Sequence, residues 1–139
     1  MAITLDMLKG WWKLSQAWHE FDIFPRQYPF GVQPTGSLVV TEDFRLMAVV
    51  FSSIGIEAHN RSQVEAYSGP FVLEGSEIVA DLDMSSVRPW EKRELRLSLS
   101  LSRDGSQLFA TTPKRFDYSL YSGCPFSTAY NWRRASKQG

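Results

Sequence analysis

Four leucines at every second position, Leu95, Leu97, Leu99 and Leu101, separated by Arg96, Ser98 and Ser100, constrain this chain more than any other feature. A period of two matches the alternation of side chains along a β-strand and conflicts with the 3.6-residue period of a helix. One face of the segment at 94–102 is therefore apolar and the other wet, which is the pattern of antiparallel rather than parallel sheet. Arg103-Asp104-Gly105-Ser106 closes the segment. Its Asp-Gly pair supplies the positive φ that tight hairpin turns require, and residues 107–112 return as the partner strand.

The same grammar recurs along the chain. Residues 37–41 and 45–51 form a second hairpin through Glu42-Asp43-Phe44, with Leu38 and Val40 facing the same way and Gly36 at the entry. Gly69-Pro70 opens a strand through Leu73, Glu74-Gly75-Ser76 turns it, and residues 77–84 make the next arm before Pro89. Residues 52–66 are too polar and alternate too poorly for a strand, so the expectation there is a loop with one short helical turn capped by Asn60 or Ser62. A cone-shaped α+β fold needs long amphipathic helices near the N-terminus, and residues 1–9 are too short to supply them. About eight strands with short connections predict an all-β, up-and-down antiparallel barrel, whose closure removes free edges. A barrel of that size is filled by side chains or holds one small ligand.

Composition narrows the function classes. With 139 residues, 43% of them hydrophobic, the chain builds one core, and 1–139 is read as a single domain without repeats or linkers. Aromatic residues make up 14%, which points to a large core or a ring-lined cavity. Lys+Arg and Asp+Glu both number 15, leaving no basic excess to neutralise nucleic acid or an anionic membrane. Cys124 is the single cysteine, which excludes an intramolecular disulfide, and no Cys/His cluster has the spacing of metal ligands. No signal-peptide core and no run near the roughly 20 apolar residues of a membrane span is present, so a cytoplasmic protein is expected. A homodimer stays open.

Two short stretches carry a resemblance. Gly10-Trp11-Trp12 opens the first strand with a Gly-x-Trp, and Asn131-Trp132-Arg133-Arg134 closes the chain before a polar tail. Together they resemble the lipocalin signature of the calycin barrels. More particularly, Gly10 to Leu14, Gly36-Ser37-Leu38, Asp43-Phe44-Arg45-Leu46 and Tyr67-Ser68-Gly69-Pro70-Phe71 are similar to motifs of the lipocalin-like domain family of microbial proteins, over nearly the whole chain up to Thr112. The resemblance implies a barrel with a pocket, closed at one end by Trp12 with Arg133 or Arg134 over its ring. Two positions depart from it: Phe44 replaces a turn glycine, and Ala80-Asp81 stands where that family often carries a histidine pair. Members of such groups occur beside small-molecule pathways, which implies a biosynthetic setting.

Strand parity counted from Trp12 sends Leu14, Gln16, Trp18 and Glu20 inward and His19 outward. A carboxyl group in an apolar interior has its charged form disfavoured, which suits Glu20 to acid–base work unless it lies at a solvated rim. Parity from Leu95 to Leu101 runs back to Arg93 and Glu91. Arg93 then either holds a ligand oxygen through its planar donors or pairs with Glu20, Asp81 or Asp83. Asp81 and Asp83 share the wet face of their strand. Phe51, Tyr67, Trp90 and Tyr130 fit a ring-lined cavity, or plain core, and His59 falls in the polar loop. Neither a nucleophile elbow nor a glycine-rich phosphate loop occurs, so any catalysis is expected to be cofactor-free.

These readings converge on a barrel that binds a small, largely apolar or aromatic molecule. The expected chemistry is a cofactor-independent isomerase, cyclase or dehydratase step, with proton transfer by Glu20 and oxyanion stabilisation by Arg93. The alternative is a non-catalytic carrier with the same pocket. A third reading is a barrel filled by its own Trp and Phe side chains, with function on its outer surface.

Overall fold

Alternation of apolar and polar residues propagates around the whole molecule as hydrogen-bonded strands. The computed structural model describes residues 2–51, 64–86, 94–114 and 124–136. A one-turn helix α1 (Leu5–Leu8) leads into β1 (Gly10–Glu20), β2 (Thr35–Val40), β3 (Arg45–Phe51), β4 (Val64–Glu74), β5 (Glu77–Asp81), β6 (Met84–Ser85), β7 (Glu94–Leu101), β8 (Gln107–Thr111) and β9 (Ser127–Ser136). Each long strand pairs antiparallel with the next, β3 pairs with β4, and β9 returns to β1, so eight strands close a barrel in up-and-down order. The two-residue β6 adds to β4 alone. This is the all-β architecture expected from the sequence, and it is compatible with a calycin-like fold.

The hairpins form where local chemistry favours them. Gly105 takes φ 75° in the β7–β8 turn. There the Asp104 carboxylate accepts bonds from Ser102 Oγ at 2.8 Å, Ser106 Oγ at 2.7 Å and the Ser106 amide at 3.0 Å. The bonds from Ser106 and then Ser102 draw its pKa down to about 2. In the β2–β3 turn Phe44 itself adopts φ 58°, a left-handed conformation that costs an L-residue with a Cβ roughly 1–2 kcal/mol. Its ring rests on Phe71, with centroids 5.6 Å apart, which offsets part of that strain.

Two boundaries differ from the sequence expectation: the arm expected over 77–84 ends at Asp81, with Met84 and Ser85 pairing separately with β4, and β4 itself starts early. Strand β4 begins at Val64 and runs through Gly69-Pro70 instead of starting there. Gly69 is needed inside the strand, because a Cβ on it would lie 2.3 Å from the Asp81 carbonyl oxygen and 2.8 Å from Leu82 Cα. The residues 64–66 expected in a loop are thus strand, while the helical turn expected around Asn60 or Ser62 lies outside the described residues.

Inward residues form the core of the barrel, among them Trp12, Val40, Leu46, Ile78, Leu108 and Trp132. One end is closed by Trp12, which is fully buried and donates from Nε1 to the Leu8 carbonyl at 2.9 Å. The Arg134 guanidinium lies 4.0 Å from the Trp12 ring centroid. Its nitrogens donate to the carbonyls of Lys9 at 3.0 Å, Gly105 at 3.1 Å and Met7. Arg134, not Arg133, therefore covers the plug. Trp132 points inward, so parity carries the residue two further on to the same side and leaves Arg133 exposed. Among the described residues no helix is long and apolar enough to cross a membrane.

Candidate functional site

A single irregularity in β1 decides which side chains reach the interior. Leu14 opposes Trp132 on β9 and Gln16 opposes Asn131, so Ser15 is an extra residue in the ladder. Such a bulge inverts the facing of everything beyond it. Trp12 and Leu14 point inward before it, and Ala17 and His19 point inward after it. Gln16, expected inside, is exposed, and Trp18 and Glu20 move to the outer wall. His19, expected outside, is buried.

Trp18 is nonetheless covered, because residues after β1 fold back over the outer surface. The Arg26 guanidinium lies 4.3 Å from its ring, with Phe109 at 5.9 Å and Tyr28 at 6.5 Å between centroids. Glu20 Oε2 accepts from Trp18 Nε1 at 2.9 Å and from Arg26 Nε at 3.0 Å. A two-way backbone bridge between His19 and Gln27 fastens this strap. Glu20 is 43% exposed at its side chain. It serves here as a clamp on the outer wall, and the interior position that motivated an acid–base role belongs to another residue.

The remaining expected residues separate cleanly. Tyr67 and Tyr130 are buried on inner faces. Phe51 falls on the outer parity of β3, whose inner residues are Leu46, Ala48 and Val50, and is half-buried instead of lining the interior. Trp90, Arg93 and His59 lie outside the described residues. Of the two aspartates, Asp83 accepts from Arg45 and from Ser68 Oγ at 3.0 Å, bonds that hold its carboxyl below the usual range. Asp81, like Asp83, is exposed, in keeping with the wet strand face expected for both.

A different polar group occupies the interior. The early start of β4 brings Glu65 and Tyr67 to one inner face, with Glu65 opposite Val50 and Tyr67 opposite Ala48. Glu65 is only 5% exposed, and the Tyr130 hydroxyl donates to its Oε1. The pairing joins residues 65 apart in sequence, from strands β4 and β9. Tyr130 opposes Ala17 on β1, whose small side chain leaves the phenol room to extend inward. Its ring stacks on Trp132 at 6.0 Å and an interplanar angle of 23°. Two residues along β9, Thr128 opposes His19, whose ring packs on Phe126 at 4.6 Å. Register places Glu65, His19 and Thr128 at the end of the barrel opposite the Trp12 plug.

Glu65, His19 and Thr128 were not singled out by sequence reasoning. Glu65 was legible in principle, since Glu65-Ala66-Tyr67 carries the same period of two as the other strands. His19 was hidden by the bulge. A carboxyl group bonded to a phenol inside apolar walls can hold or pass a proton and can accept a hydrogen bond from a bound molecule. Among the described residues no group of three or more His, Cys, Asp or Glu side chains is placed to hold a metal ion. A scan against protein-family models finds no match to this chain, and a search of curated proteins finds none either.

Proposed function

We propose that this barrel binds a small, largely apolar or aromatic molecule in its interior and acts on it by general acid–base chemistry, without a cofactor, as an isomerase, cyclase or dehydratase. The reading follows the resemblance to lipocalin-like proteins and rests on one observation: a carboxyl group, Glu65, enclosed in the barrel and bonded by the Tyr130 hydroxyl. A carboxyl group that accepts a hydrogen bond from a phenol inside apolar walls can exchange a proton with a bound substrate. Glu65 takes the role that parity alone assigned to Glu20. Tyr130 orients it, and the buried rings of Tyr67 and Trp132 make the surrounding walls apolar.

The test is to incubate the purified protein with a small-molecule extract of its source organism and compare chromatographic and mass traces of the free and retained fractions. Wild type should retain a species and convert it at constant mass or with loss of water. Glu65→Gln should retain the same species without converting it. Retention without conversion by wild type would make the protein a carrier, and no retention at all would refute binding.

A further inference from the structure

Among the described residues, one buried side-chain polar atom has no hydrogen-bond partner: Thr128 Oγ1. The rest of Thr128 is fully engaged. Its amide donates to Thr112 Oγ1 at 2.9 Å, and its carbonyl accepts from the Thr112 amide at 2.9 Å. The residue has no exposed surface, so bulk water does not reach the hydroxyl. Buried hydroxyl groups are nearly always satisfied, and one left open calls for a partner that the described residues do not supply. Its position says where that partner comes from. Thr128 shares the inner face of β9 with Tyr130, one pleat away, and opposes His19 across the β1–β9 ladder.

We infer that the molecule bound in the barrel carries two oxygen functions, one meeting the Glu65–Tyr130 pair and a second, a hydroxyl or carbonyl oxygen, pairing with Thr128 Oγ1. The inference deepens the proposed interior site and rests on it. An oxygenated ring compound satisfies both anchors while keeping the apolar faces that the walls require. A plain hydrocarbon leaves the Thr128 hydroxyl as unpaired in the complex as in the free protein. Specificity then comes from a buried polar group that only the right ligand can satisfy, a form of selection stronger than apolar fit alone.

The test uses naphthol and the dihydroxynaphthalene isomers as probes, with affinities from quenching of tryptophan fluorescence in wild type, Thr128→Val and Thr128→Ser. Naphthol reports on the interior site as such. For at least one isomer the second hydroxyl should tighten binding to wild type about tenfold, roughly the contribution of one hydrogen bond that is made only in the complex. That gain should vanish in Thr128→Val and persist in Thr128→Ser. Unliganded Thr128→Val should melt no lower than wild type, because valine replaces a hydroxyl that holds nothing in the free fold. A gain that survives in Thr128→Val, no gain with any isomer, or a lowered melting point in the free Val variant would overturn the inference while naphthol binding keeps the interior site. Failure of wild type to bind naphthol or any isomer would overturn both.

Discussion

Replacing Arg134 by methionine keeps an apolar cover on Trp12 but removes the charge and every donor that ties the barrel end together. The guanidinium at 4.0 Å from the ring is a part-buried cation–π contact, contributing about 1 kcal/mol. Its bonds to the carbonyls of Lys9, Gly105 and Met7 link the N-terminal turn to the β7–β8 turn. Each would contribute about 1.5 kcal/mol or more if fully buried, but these carbonyls are part-exposed and regain water, so the three together are put at about 2 kcal/mol. Arg134→Met should therefore lose about 3 kcal/mol in urea unfolding with an unchanged m-value, and roughly 10 °C in Tm. Arg134→Lys should recover about 1 kcal/mol of this, keeping a charge near the ring but not the planar fork. Arg133→Met, at an exposed neighbour, should stay within about 0.5 kcal/mol of wild type. An Arg134→Met variant as stable as wild type, or an Arg133→Met variant equally destabilised, would refute the assignment of the plug.

Two other perturbations address the fold directly. Asp104 has its pKa drawn down to about 2 in the folded turn from an ordinary 3.8, so it favours the folded state fully above the unfolded pKa and loses that contribution as pH falls through the folded one. The stability difference between wild type and Asp104→Asn should be constant from neutral pH down to about pH 5 and shrink toward pH 2, measured by urea unfolding across that range. Deleting Ser15 removes the extra residue of the bulge and restores plain alternation, so Gln16 follows Leu14 on the outer face and Ala17 and His19 stay inward. The variant should unfold cooperatively in urea with a loss of less than about 2 kcal/mol, and a deletion that abolishes the fold would refute the assignment of Ser15 as the extra residue of the ladder.

Much of the barrel was legible because hairpins are local. The Leu95 to Leu101 alternation and the Asp104-Gly105 turn specify β7 and β8 within a window of a few residues, where side-chain period and turn chemistry act without help from the rest of the chain. The β2–β3 hairpin was equally clear, although Phe44 occupies its left-handed position against intrinsic preference, held by contact with Phe71. The candidate site was far less legible. Leu14-Ser15-Gln16-Ala17 offers no signal for a bulge, since neither Ser15 nor Gln16 is strongly apolar or turn-forming. The period of two at Glu65-Ala66-Tyr67 does mark the start of β4, but its inward residue is a glutamate, so the segment reads as polar.

The sequence by itself determined the class of fold and its antiparallel hairpins, which depend on side-chain period and local turn geometry, while the inward place of Trp12 was implied by its resemblance to the lipocalin signature. Only the tertiary structure decided that Arg134 rather than Arg133 caps Trp12, that Glu20 clamps the outer wall, and that Glu65 meets Tyr130 inside. Those outcomes depend on the register between β1 and β9, strands far apart in the chain, and for Glu65 on its pairing with β3. A shift of one residue in that register exchanges inside for outside, and it is fixed by how the completed barrel packs.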